Sequence, residues 1–345
     1  MMSRRALLAL AALAPTGAPT AADAQQPRPR FYAKGTKQRA VHFVGSDGAT
    51  LAGTLLLPIW SELEKVPGVV LVSGSGPTDR DGNNTLVPDR IDLLKQIAEL
   101  LAEAGIASLR YDKRGIGAST PRPQGSLAEQ ERFFAWENFV GDVAAAHAEL
   151  IRHDEIKSYA TALLGHSEGG LLVLAAAPTI AKNPPHGMVL LATPGRKLSD
   201  ILRAQIGRGA PNLLAAANRA IEAVEATGHV PSDLPRELDA LFPAYGGPFL
   251  QRLLAFDPAE ALLASRLPCL LLQGAADRQV VPMADVQPLI DALGKRDAPG
   301  EAVIVPAISH NLKLVQWPTD AGFAGPIAPA VTAKLVPWMK QLLGA

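Results

Sequence analysis

From residue 68 onwards, short apolar runs alternate with longer segments of helical spacing. The runs at 68–72, 106–111, 160–164, 188–192, 269–273 and 302–305 are too short for buried helices and carry no regular polar face, so they predict strands covered on both sides. Segments 91–104, 136–152, 171–177 and 328–343 repeat their apolar positions at helical intervals; Gly105 supplies a C-cap for the first, and Pro178 must end or kink the third. Ahead of these, 39–45 and 50–57 flank the turn cluster Ser46-Asp47-Gly48, which predicts a β-hairpin. A hairpin followed by alternating buried strands and helices predicts an α/β domain over 39–345, built on a doubly wound, mostly parallel sheet.

The alternation lapses between Pro194 and Pro268. Helical spacing continues at 198–206, 213–226, 234–241 and 249–256, broken by prolines and glycines at 243–248, and no strand interrupts it. Such an insertion, at about 196–266, folds most economically as a helical cap over the C-terminal edge of the sheet, where open α/β sheets place their ligands. Its ordinary alternative is a filler that never touches substrate.

Composition narrows the partners. Lys plus Arg and Asp plus Glu number 33 each in 345 residues, so no net field draws the molecule to nucleic acid or an anionic bilayer. The single Cys269 excludes an internal disulfide framework and a cysteine-based zinc site; placed in an apolar run, it reads as a small buried hydrophobe. Residues 1–24 read as an export signal, with Arg4 and Arg5 before an apolar stretch at 6–14 and Ala22-Asp23-Ala24 as the cleavage site. The stretch is shorter than the ~20 residues a membrane-spanning helix needs. Adjacent arginines suit either the general secretory or the twin-arginine route. Residues 25–38, with two prolines and no periodicity, read as a flexible tether. The expected location is periplasmic or secreted, with no stable membrane insertion after cleavage.

Gly165-His166-Ser167-Glu168-Gly169 follows a predicted strand and opens a predicted helix. A serine on so sharp a turn is held with its hydroxyl exposed, and the flanking glycines remove side chains that would collide with neighbouring elements. Ser167 is therefore the candidate nucleophile, and the Glu168 amide at the helix N-terminus a candidate oxyanion donor. A serine needs a base and an orienting carboxylate. Only His186, His229 and His310 follow Ser167; His186 precedes a strand and His229 falls in the insertion, which leaves His310, after the last strand. Asp277, after the strand before it, is the candidate acid, with Asp200 as its rival. The second oxyanion donor belongs to the loop starting Ser73-Gly74-Ser75-Gly76-Pro77; the Ser75 amide is preferred over its two glycine neighbours. Arg80 and Asp81 either reach the site or pin that loop.

Together with Arg110-Tyr111-Asp112-Lys113-Arg114-Gly115-Ile116-Gly117, these motifs resemble the α/β-hydrolase superfamily, nearest its capped serine esterases and serine-aminopeptidase-like branch. The resemblance runs from about residue 39 to the C-terminus. It implies a Ser167–His310–Asp277 triad, an oxyanion hole from the Ser75 and Glu168 amides, a structural turn at 110–117, and no metal or organic cofactor. It departs in one place, since many relatives begin the oxyanion loop with His-Gly where this chain has Ser73-Gly74. The implied activity is hydrolysis of small-molecule carboxylic esters through an acyl-enzyme. A serine at the elbow argues against the dehalogenase and epoxide-hydrolase chemistries, which attack through a carboxylate. A peptidase or amidase would want a charged anchor for a peptide terminus, for which Glu222 or Glu225 could serve; a thioesterase or acyltransferase would use the same triad. A non-catalytic binding protein would need none of it. The Leu- and Ala-rich cap, poor in aromatics, predicts small to medium acyl groups.

Overall fold

The computed structural model describes residues 35–345 apart from 63, 88 and 318. The export signal read at 1–24 lies outside the described residues, as do residues 25–34 of the tether. The tether's last residues are strand instead: β1 (Thr36–Val44) starts inside it and pairs Thr36, Lys37 and Gln38 with Pro58, Leu57 and Leu56. β1 is an edge strand with one exposed face, so its start carries no apolar signal to separate it from a linker.

The remaining strands are β2 (Thr50–Pro58), β3 (Val66–Val72), β4 (Ala107–Tyr111), β5 (Ile156–His166), β6 (Gly187–Leu191), β7 (Cys269–Gly274) and β8 (Gly300–Val305). They form one sheet in the order β1-β2-β4-β3-β5-β6-β7-β8. β1, β2 and β4 pair antiparallel, and every pairing from β4 to β8 is parallel. The helices are α1 (Leu93–Glu103), α2 (Leu127–Phe133), α3 (Trp136–Arg152), α4 (Glu168–Ala176), α5 (Leu198–Gly209), α6 (Leu214–Thr227), α7 (Gly247–Ala255), α8 (Pro258–Ala264), α9 (Gln287–Lys295) and α10 (Pro329–Leu343).

Continuous apolar strands follow from burial on both faces. Val70 and Val72 of β3, Leu190 of β6 and Leu271 of β7 point into a core shared with α3, α4, α9 and the insertion. Their neighbours Val69, Leu71, Val189 and Leu270 point into a second core closed by α1 and α10. From β3 the chain moves outward to β4 and then crosses to β5 on the other side, which opens a crevice beyond the C-terminal ends of β3 and β5. The oxyanion loop and the Ser167 turn leave these two strands side by side.

Between β6 and β7 the insertion comprises α5, α6, α7 and α8. The helix expected at 234–241 is absent; only a single 3₁₀ turn, Arg236–Leu238, forms there, between Pro235, which can only open a helix, and Pro243, which bars its continuation. Three helices escaped the sequence reading: α2, opened by a capping box in which Ser126 and Glu129 bond each other's backbone amides; α8, whose first amides at Ala259 and Glu260 donate to Asp257; and the amphipathic α9.

A buried ion pair ties the layers together near the site. Arg114, just after β4, donates to both oxygens of Asp142 on α3 (2.8 and 2.7 Å), and also to the carbonyls of Phe133 and Ser46. The Ser46 amide, in the hairpin turn, donates back to Asp142 at 2.8 Å. Among the described residues no helix is long and apolar enough to cross a membrane.

Candidate active site

At the turn from β5 into α4, Ser167 adopts φ 55°, ψ −122°, a conformation that side-chain-bearing residues rarely hold. The motif's glycines explain how the turn closes. A Cβ on Gly165 would lie 2.2 Å from the Gly169 carbonyl oxygen, and one on Gly169 would lie 2.3 Å from the Val72 oxygen, so α4 can approach β3 and β5 only where hydrogens stand. The Ser167 amide donates to the Leu191 carbonyl on β6 at 2.8 Å, which braces the bend against the next strand.

Asp277 follows β7 and His310 follows β8, and the structure brings them together: His310 Nδ1 lies 2.8 Å from Asp277 Oδ2, both residues buried. The Gln279 and Val280 amides and the Gln273 side-chain amide also donate to Asp277, at 2.8, 2.9 and 2.9 Å. Burial alone would raise the Asp277 pKa; the neighbouring His310 and these donors outweigh it and hold the carboxyl below its ordinary value. The His310 loop is anchored by the Ser309 hydroxyl, which donates to the Gly322 carbonyl at 3.0 Å, and by Lys313, whose ammonium donates to the Gly325 carbonyl.

His166, to which the sequence reading gave no role, links Ser167 to this loop. Its Nε2 lies 2.9 Å from the His310 carbonyl oxygen, and the two imidazole rings sit 4.7 Å apart. Burial, followed by the nearby His310, pushes the His166 pKa down to about 3, so the ring is neutral at ordinary pH and its Nε2–H donates to the His310 carbonyl.

Ser75 and Glu168 line the same cavity as Ser167, and neither of their amides has a hydrogen-bond acceptor among the described residues. The loop carrying Ser75 is braced by Thr78 Oγ1, which donates to the Ser75 carbonyl at 2.7 Å. Further along, Arg80 pairs with Asp112 at 2.6 Å and Asp81 with Arg110 at 2.8 Å, so these charges pin the loop and do not line the cavity. Asp112 also accepts from the Ala118 amide, as a structural turn requires. The buried Lys113 donates to the Gly74 carbonyl at 2.6 Å and lies 3.1 Å from Glu168 Oε1.

Ser167 opens into a cavity of about 250 Å³ between the sheet and the insertion. Leu198, Ile201 and Leu202 of α5 and Phe249, Leu250 and Leu253 of α7 line it, so the insertion is no filler. Its walls are more aromatic than the composition of the cap suggests, because Phe134 and Phe139 from outside the insertion join Tyr245 and Phe249. Glu168 is the only carboxylate residue on the lining among the described residues, and Lys113 faces it. The half-buried Arg122 stacks 4.9 Å above Tyr245 and forms no ion pair with a carboxylate among the described residues. Glu222 and Glu225 do not line the cavity; Glu225 lies 4.0 Å from Arg203.

The rival residues lie elsewhere. Asp200 is exposed in the first turn of α5, 3.7 Å from Arg203, and the N-cap there is Lys197 rather than Asp200. His186 is exposed before β6, and His229 is an exposed residue of the insertion, 3.9 Å from Glu131. Cys269 is fully buried in β7, and burial pushes its thiol up to about 12, which leaves it without thiolate chemistry.

Residues 89–239 match the family described as serine aminopeptidase, S33. Over 219 residues the chain is 33% identical to esterase EstD of Thermotoga maritima, an alignment covering 62% of this chain and 47% of that protein. The chain thus spans about half the length of this curated relative. Among solved structures, Est1E of Butyrivibrio proteoclasticus with ferulic acid bound superposes with a TM-score of 0.57 at 17% identity, covering 88% of this chain and 100% of that one. The α/β hydrolase GrgF of Penicillium sp. sh18 gives 0.55 at 18% identity, over 90% of this chain and 100% of that one.

Proposed function

The chain has the α/β-hydrolase fold and sequence kinship with that superfamily's esterase and serine-aminopeptidase branch, and from that premise we propose that it is a serine hydrolase of small-molecule carboxylic esters. Ser167 Oγ attacks the ester carbonyl while His310 Nε2 takes its proton, and Asp277 accepts the Nδ1–H and stabilises the imidazolium. The Ser75 and Glu168 amides, free of other acceptors, receive the charge that develops on the carbonyl oxygen. Collapse of the tetrahedral intermediate breaks the C–O bond, His310 returns the proton to the departing alkoxide, and an acyl-Ser167 ester remains. Water then repeats the sequence, its proton passing to His310 and back to Ser167, which releases the carboxylic acid.

The observation that carries an ester over a peptide substrate is the cavity's charge. An aminopeptidase must hold an α-ammonium group, and the one carboxylate on this lining is already faced by Lys113. A mostly apolar cavity of about 250 Å³ with four aromatic residues on its walls fits acyl groups of small to medium size, compact aromatic ones included. The leader-like segment at 1–24 supports export to the periplasm or beyond, which a mature N-terminus at Gln25 would establish.

The test is turnover of p-nitrophenyl esters of increasing acyl length beside aminopeptidase p-nitroanilides, for the wild type and Ser167→Ala. Ester turnover that disappears in the variant is expected. Anilide turnover without ester turnover would transfer the reading to a peptidase.

A further inference from the structure

We infer that Lys113 is a positioning residue that sets both donors of the oxyanion hole, an inference that rests on the Ser167 reading above. Its ammonium donates to the Gly74 carbonyl at 2.6 Å. That carbonyl belongs to the same peptide unit as the Ser75 N–H. The unit is planar and trans, so fixing the C=O on the Lys113 side turns the N–H to the opposite side. A full positive charge on the carbonyl also polarises the peptide and makes its N–H a stronger donor.

The second contact, 3.1 Å to Glu168 Oε1, engages the residue whose own amide is the other donor. One buried ammonium therefore bridges the loop after β3 and the turn after β5. It further balances a carboxylate that would otherwise stand beside the developing oxyanion. The departure noted in the sequence, Ser73-Gly74 where many relatives have His-Gly, finds its counterpart here: support for the loop comes from β4's side of the crevice, through the Lys113 of Asp112-Lys113-Arg114. Burial fits such a task, since the ammonium of a lysine only 4% exposed needs strong acceptors.

The experiment compares Lys113→Met with the double variant Lys113→Met/Glu168→Gln, by ester kinetics and thermal unfolding. The single variant should lower kcat by about 100- to 1,000-fold with KM changed less than about threefold, the size of effect seen when one oxyanion donor is lost. The double variant removes the uncompensated carboxylate and should regain thermal stability, while its kcat stays low because nothing orients the Gly74–Ser75 peptide. A double variant with kcat near the wild type would show that Lys113 only neutralises Glu168, and would overturn the inference. So would a single variant whose loss lies wholly in KM. A wild type without ester turnover defeats the underlying reading; a wild type active but insensitive to Lys113 overturns this inference alone.

Discussion

Asp277 and His147 show how the fold treats buried ionisable groups in opposite ways. Asp277 stays charged because His310, two backbone amides and Gln273 converge on its carboxylate. Replacing it with Asn puts an NH₂ where an acceptor is needed and favours the wrong imidazole tautomer, so Asp277→Asn should cut kcat by about 10³- to 10⁴-fold with little change in KM, read in ester assays. His147 meets the Thr161 hydroxyl at 2.9 Å and no charged partner among the described residues, and burial pushes its pKa down to about 4. Its folded pKa lies below the ordinary 6.5, so between about pH 6.5 and 4 the unfolded chain binds a proton that the folded one does not. Acidification through that window therefore destabilises the fold, by about 3 kcal/mol for this residue at pH 4. His147→Gln should flatten the fall of Tm between pH 7 and pH 4. Ser167, Asp277 and His310 could be picked out in the sequence because each follows a recognisable strand. Lys113, His166 and Gln273 could not: their meaning lies in contacts with Gly74, the His310 carbonyl and Asp277, and the first two of these join distant parts of the chain.

Elements meet around the site through close approach and through ion pairs, of which Arg114–Asp142 is the most deeply buried. Gly169→Ala should abolish activity and lower Tm, measurable by ester assay and thermal unfolding, since its Cβ would meet β3 backbone that cannot swing aside. Arg114→Leu should destabilise the protein by about 3–5 kcal/mol in urea unfolding, because it strands Asp142 without its partner. Arg114→Leu/Asp142→Leu should recover much of that loss. Strands buried on two faces were readable as apolar runs, and the longest core helix, α3, was found with its bounds intact. Shorter helices were lost for a physical reason: α2 and α8 span seven residues each, too few for periodicity to register, and only their caps at Ser126 and Asp257 announce them. The opposite error at 234–241 came from reading leucine spacing as a helix where the chain makes a single 3₁₀ turn.

At the scale of the whole molecule, α5 and α7 of the insertion wall the cavity into which Ser167 opens. Ile201→Phe should shorten it, lowering kcat/KM for hexanoyl esters by about 10- to 100-fold while acetyl esters change little, as a chain-length series would read. Between Leu198 and Ala264 the insertion holds none of Ser75, Ser167, Glu168, Asp277 or His310. It leaves the sheet at the C-terminal end of β6 and returns at the N-terminal end of the neighbouring parallel strand β7, so it is spliced into a single crossover. Much of the cavity wall and the proposed catalytic residues are thus inherited in separate stretches of one gene product. Substitutions, insertions or recombination in the first stretch can explore new substrates across generations while the second passes unchanged from parent to descendant.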